Sequence, residues 1–178
     1  LGTKIRSGTG TDLENDSLSL QFALPIFAGG STSARVQQAV FPDVNVATAR
    51  VLAADGFEVL APPQGCCGAL SVHAGRLEEG KAFARRLIDA FQEVDAIVVN
   101  SSGCGSHLKE LGWLLGDDGA AAFAAKVRDV GELLAETRPR APRHPLGLRV
   151  ALQDSCHLRH AQRLPLASLP VPARIPGR

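Results

Sequence analysis

The sequence predicts an α/β fold, a layered and mostly parallel sheet with crossover helices. Three observations point there. FEVLAPP and DAIVVN are short apolar runs, and each leads into a Gly/Ser-rich loop followed by helical spacing. The unit strand, loop, helix then repeats along the chain. DAIVVN is also apolar without alternation, as expected of a strand covered on both faces of a parallel sheet.

Taken in order, residues 1–33 form a Ser/Thr/Gly-rich lead with weak structural signals, expected to be poorly ordered. Residues 34–138 carry the regular pattern and are expected to form a first domain. In it, VNVATARVLAADG sets Val46, Ala49, Val51, Leu52 and Ala53 on a small-residue helix that Gly56 stops. FEVLAPP is a strand closed by Pro62 and Pro63. In GRLEEGKAFARRLIDAF, residues Leu77, Phe83, Ala84, Leu87, Ile88 and Phe91 recur at intervals of three and four, the mark of an amphipathic helix. A third unit starts at SHLKELGWLLGDD and runs into AAFAAKVRDVGELLAET, where Phe123, Val127, Val130, Leu133 and Leu134 mark one helical face. Residues 139–147, within RPRAPRHPLG, read as a linker with a solvated basic run. Residues 148–178 open a second unit with the strand-like LRVALQDSC and then lose periodicity.

Composition narrows the function. The 178-residue chain is 45% hydrophobic and 21% charged, a globular profile. Lys plus Arg is 19 against 18 for Asp plus Glu, so nothing electrostatic calls for nucleic acid. No run reaches the length of a membrane span, and the polar start is unlike a signal peptide. A cytoplasmic location is the expectation, and with it reduced thiols. The chain opens at Leu1 with no Met or Tyr anywhere, and its tail is rich in Pro, which together read as a fragment.

The chemistry lies in four cysteines, each just past a strand: Cys66 and Cys67 in QGCCGAL, Cys104 in NSSGCG, and Cys156 in QDSCH. Ligands of open α/β sheets bind at the carboxyl ends of the strands. Glycines in such loops let backbone approach closely and leave amides to donate to sulfur. A lone cysteine is most simply a buried small hydrophobe. Four of them in Gly/Ser-rich loops favour a soft metal or an iron–sulfur cluster. Zinc knuckles of the CxxC kind are absent, and a catalytic thiol at Cys156 beside His157 is a further alternative. GCCGAL is not a GxGxxG fingerprint, so no flavin or nicotinamide site is expected.

QGCCGALSVHAG, VNSSGCGSHLKE and QDSCHLRHAQR, in this order, resemble the cysteine-rich CCG domain of the glycolate oxidase iron–sulfur subunit. The wider group includes the heterodisulfide reductase B subunit and lactate-utilisation iron–sulfur proteins. The resemblance runs from about Gln37 through Arg163. It implies a Rossmann-like CCG domain at 34–138 and the truncated start of a second at 148–178. It implies cluster binding, of the 4Fe–4S type, by Cys66, Cys67 and Cys104, with Cys156 matching the first cysteine of the second domain. His73, His107 and His157 are auxiliary candidates. It implies electron transfer from a flavoprotein partner that oxidises glycolate to glyoxylate. No transmembrane segment is expected, and the complex could sit at the inner face of the membrane. One departure stands out: SARVQQAV has Arg35 where the family has a cysteine, and a guanidinium cannot ligate a cation. Two alternatives stay open, a non-catalytic interaction module without a cluster and a thiol-based redox protein.

Overall fold

Ile97, Val98 and Val99 are fully buried and Ala96 nearly so, and DAIVVN does form a strand with protein on both faces. It is the centre of a computed structural model that describes residues 3–5, 19–23, 42–62, 65–145, 147–149 and 153–164. Among the described residues, five strands build one sheet: β1 (Thr3–Ile5), β2 (Ser19–Ala23), β3 (Glu58–Ala61), β4 (Ala96–Val99) and β5 (Val127–Asp129). Their spatial order is β1-β3-β2-β4-β5. The pairs β2–β3, β2–β4 and β4–β5 are parallel, and β1 adds an antiparallel edge. The expected α/β class, with a mostly parallel sheet and crossover helices, is what forms.

Among the described residues, seven helices occur in chain order: α1 (Pro42–Ala54), α2 (Ala69–His73), α3 (Leu77–Ala90), α4 (Ser102–Lys109), α5 (Leu111–Leu115), α6 (Asp118–Lys126) and α7 (Val130–Glu136). A π-helical turn spans His157–Ala161. Side chains alternate across β4, as strand geometry requires. Ile97 and Val99 join Leu87, Phe91, Leu108, Leu111, Phe123 and Val127 in one cluster, built with α3 to α6. Ala96 and Val98 join Leu52, Val59 and Leu133 in the other, built with α1 and α7. Each fully buried side chain of this size contributes roughly 1.5–3 kcal/mol relative to exposure. Two covered faces therefore fix the sheet firmly and leave its strand ends for chemistry.

Some elements differ from the expected pattern. Within residues 1–33, Thr3–Ile5 and Ser19–Ala23 form β1 and β2, and β2 lies between β3 and β4. Its residues Ser19–Ala23, SLQFA, have the strand composition that the polar surroundings obscured. AAFAAKVRDVGELLAET is not one helix, because β5 interrupts it between α6 and α7. The restart is a capping box: Gly131 N–H donates to Asp129 at 2.8 Å, and Asp129 N–H donates to Glu132 at 2.9 Å. Apolar spacing at 123, 127, 130 and 134 mimics a helix through this break. On α1 the buried positions are Thr48 and Leu52, while Val46 and Val51 are 47% and 40% exposed. Apolar character alone misplaced that face by a fraction of a turn.

The basic run in RPRAPRHPLG is not simply solvated. Arg143 donates to both carboxylate oxygens of Asp55, at 2.6 and 3.1 Å, and the amides of Arg140 and Ala141 each reach it at 3.2 Å. Asp55 lies past the end of α1, near the amino end of β3, and is buried. Burial pushes its carboxyl up. The Arg143 and amide bonds outweigh this and hold it below the usual carboxylate range. The strand expected in LRVALQDSC falls partly on residues 150–152, outside the described residues.

Candidate functional site

The order of the parallel strands reverses between β2 and β4, the place where an α/β sheet leaves a crevice at its carboxyl edge. β3 ends at Ala61 and β4 at Val99, so the loops that follow them arrive at this edge. One carries Cys66 and Cys67 into α2. The other leads into α4, whose first turn contains Cys104. Cys104 thus sits in a helix rather than in the loop the sequence led one to expect.

The local sequence builds this approach. Gly68 precedes α2 with φ of 87°, a left-handed conformation that disfavours a side chain. A Cβ there would also stand 2.7 Å from the Gly80 carbonyl of α3. Gly65, on the other side of the cysteine pair, has nothing within 4 Å of such a Cβ. Only the second glycine of GCCG is therefore demanded by packing.

Two of the three thiols meet directly, and the third, Cys66, is next to Cys67 in the chain. Cys67 Sγ donates to Cys104 Sγ at 3.3 Å, and Gly68 N–H donates to Cys66 Sγ at 3.3 Å. All three are buried, at 5%, 7% and 6% exposure for Cys66, Cys67 and Cys104. None of the four cysteines is in a disulfide. The shared proton splits the pair: its hydrogen bond to Cys104 pushes Cys67 up to about 12. The same bond, helped by Ser101, pulls Cys104 below the usual thiol range against the opposing effect of burial.

His107 lies one turn after Cys104 on α4. Its Nε2 is buried with no hydrogen-bond partner. Burial lowers its pKa, the Cys67 backbone works against this, and nearby His73 adds to the lowering. The net effect favours the neutral ring. His73 ends α2 and is exposed.

Cys156 and His157 are exposed, at the start of the π-helical turn. That turn is docked on the start of α4: Ser155 Oγ donates to Ser102 Oγ at 2.6 Å, and Gln162 Nε2 donates to the Ser102 carbonyl at 3.0 Å. A Cβ on Gly105 would come within 2.8 Å of Gln162, so SSGCG is small where this segment lies over it. Ser101, Ser102 and Gln162 were not singled out in the sequence. The run of small residues around Cys104 was their only trace. Arg35 lies outside the described residues.

Sulfur with an imidazole nitrogen suits iron and other thiophilic ions. Among the described residues, no three His, Cys, Asp or Glu side chains are spaced to hold a metal ion as they stand. The Cys67–Cys104 separation of 3.3 Å is that of a hydrogen-bonded pair. Two thiolates sharing a tetrahedral ion through bonds of about 2.3 Å would stand roughly 3.8 Å apart. The donor chemistry fits, and binding would replace the S–H···S bond.

Comparison with known proteins covers this edge. Residues 32–109 match the cysteine-rich domain designated CCG, a span that contains Cys66, Cys67, Cys104 and His107. The chain carries a CCG cysteine-rich domain. The resemblance read from the three motifs is borne out. Over 141 residues the chain is 40% identical to the glycolate oxidase iron-sulfur subunit of Escherichia coli, covering 72% of this chain and 34% of that one. It is 38% identical over 141 residues to a Bacillus subtilis protein named "Probable glycolate oxidase iron-sulfur subunit", covering 71% and 31%. It is 33% identical over 105 residues to a lactate utilization protein of an Exiguobacterium species, covering 54% and 43%. The chain thus spans about a third of the length of the two glycolate oxidase relatives. No solved structure gives a significant match. Among the described residues no helix is long and apolar enough to cross a membrane.

Proposed function

We propose that the CCG domain is the electron-transfer part of an iron–sulfur subunit, with Cys66, Cys67 and Cys104 holding a cluster of the 4Fe–4S type. The observation that carries this reading is the contact of the buried Cys67 and Cys104 sulfurs at the carboxyl edge of the sheet, with Cys66, also buried, next to Cys67 in the chain. A bound cluster supplies one-electron chemistry. The residues of the chain do the rest. The Gly68 amide stabilises charge on Cys66, and Ser101 does so on Cys104. Burial keeps water from the sulfurs. The physiological setting we propose is a glycolate-oxidising complex, in which a flavoprotein partner converts glycolate to glyoxylate and passes electrons to this subunit. The relatives named as glycolate oxidase iron-sulfur subunits support that setting. We place the complex in the cytoplasm, at the inner face of the membrane.

The 3.3 Å contact between Cys67 and Cys104 favours a second reading, a dithiol that gives up two electrons and two protons on closing a disulfide. Anaerobic purification with iron and acid-labile sulfide assays separates the two. Stoichiometric iron and sulfide support the cluster. Neither element, together with alkylation of Cys67 or Cys104 that tracks turnover, would replace it with the dithiol.

A further inference from the structure

We propose that His107 Nε2 is the fourth donor of the cysteine site. This rests on the iron reading above and adds a ligand to it. Three sulfurs leave one position of a tetrahedral or cubane-type ligand set unfilled among the described residues. His107 is on the same helix as Cys104, three residues on, which places both side chains on one side of α4. It also meets the backbone of Cys67, so it touches the elements that bring two of the three sulfurs.

The decisive feature is the ring nitrogen. Buried polar atoms are nearly always bonded, and each exception asks for a reason. Nε2 of His107 is buried and has no partner, although a histidine on this helix turned outward would meet water. The lone pair of a neutral imidazole is the form that binds a metal. Among the described residues, Gln162 Oε1 is the other buried side-chain atom without a partner, but an amide oxygen is a hard donor and suits iron among thiolates poorly.

The competing role is hydrogen bonding, in which Nε2–H would donate to a bound sulfur without touching iron. Substitution separates the two. His107→Gln keeps a donor and loses a good ligand, whereas His107→Cys keeps a ligand and loses the imidazole. The chain is purified and reconstituted anaerobically with ferrous iron and sulfide, reduced with dithionite, and examined by pulsed electron paramagnetic resonance. Ligation predicts a directly bonded nitrogen coupling in the parent chain that is absent from His107→Cys. It also predicts that His107→Cys retains iron and that His107→Gln and His107→Ala bind it at least about tenfold more weakly, since even outer partners of a ligand are worth that much. A reduced cluster with no directly bonded nitrogen, or unchanged iron affinity in His107→Ala, would overturn the assignment and leave the cluster reading standing. The nitrogen signal is read on the parent chain, so it decides even if a variant fails to fold. No iron or sulfide in the parent chain would overturn the cluster reading, and the assignment with it.

Discussion

The two ends of the sheet treat buried polar groups in opposite ways. At the amino end of β3, Asp55 is buried and receives bonds from both terminal Arg143 nitrogens and two backbone amides. At the carboxyl end, Cys67 and Cys104 bond each other, and His107 Nε2 bonds nothing. The difference is between a structural ion pair whose carboxylate has several donors and a site left short of partners. A fold stabilises itself with the first kind. The second kind costs stability and is kept where a ligand completes it.

The largest expected effect lies at the satisfied end. Asp55→Asn leaves Arg143 over a site without its charge and should cost about 3 kcal/mol, the scale for breaking a buried pair. Urea unfolding at neutral pH reads it. Because the folded carboxyl is held below its ordinary value, the advantage of the parent over Asp55→Asn is complete above about pH 4, the ordinary Asp value. It should fade as pH falls through the depressed folded value. An advantage that instead grew on acidification would break the account of this end.

Gly68→Ala comes next. The φ of 87° and the backbone oxygen 2.7 Å from the new Cβ should cost about 2 kcal/mol or more. Gly65→Ala, with open space around it, should change stability by under about 0.5 kcal/mol. Thermal melts of both variants sharpen the contrast within a single CCG motif. Equal losses would mean that the motif's glycines are not distinguished by packing.

Away from both ends, Asp129→Ala removes the capping residue of α7 and should cost about 1 kcal/mol. Chemical denaturation checks this, and no change would argue that α7 is held by packing alone.

How much of this the sequence disclosed depends on the range of the interaction. The strand at 96–99 and the helix at 77–90 were legible because their apolar spacing is local and strong. The cysteine edge was legible because all of its loops follow strands. Strand β5 hid inside a helical spacing, although the Asp129–Glu132 capping box is a signal that marks its end. The Asp55–Arg143 pair joins residues 88 apart, and nothing near either of them announces the other. Nor does spacing show that Cys67 and Cys104 share a proton or that His107 Nε2 is unbonded. Those depend on how α2 and α4 meet.

A smaller effect separates the exposed thiol from the buried three. In the metal-free chain, brief treatment with iodoacetamide should label Cys156 first, leaving Cys66, Cys67 and Cys104 largely unlabelled, as peptide mass spectrometry would show. Labelling of Cys104 ahead of Cys156 would point to an open, reactive thiol instead of a closed ligand set.

The shared site itself is tested most directly by measuring iron and acid-labile sulfide per chain in anaerobically reconstituted Cys67→Ser, Cys104→Ser and Cys156→Ser variants beside the parent. A common site at the carboxyl edge predicts that the first two variants lose most of both elements while Cys156→Ser keeps the parent content. Parent-level iron in Cys67→Ser and Cys104→Ser, or loss confined to Cys156→Ser, would contradict it.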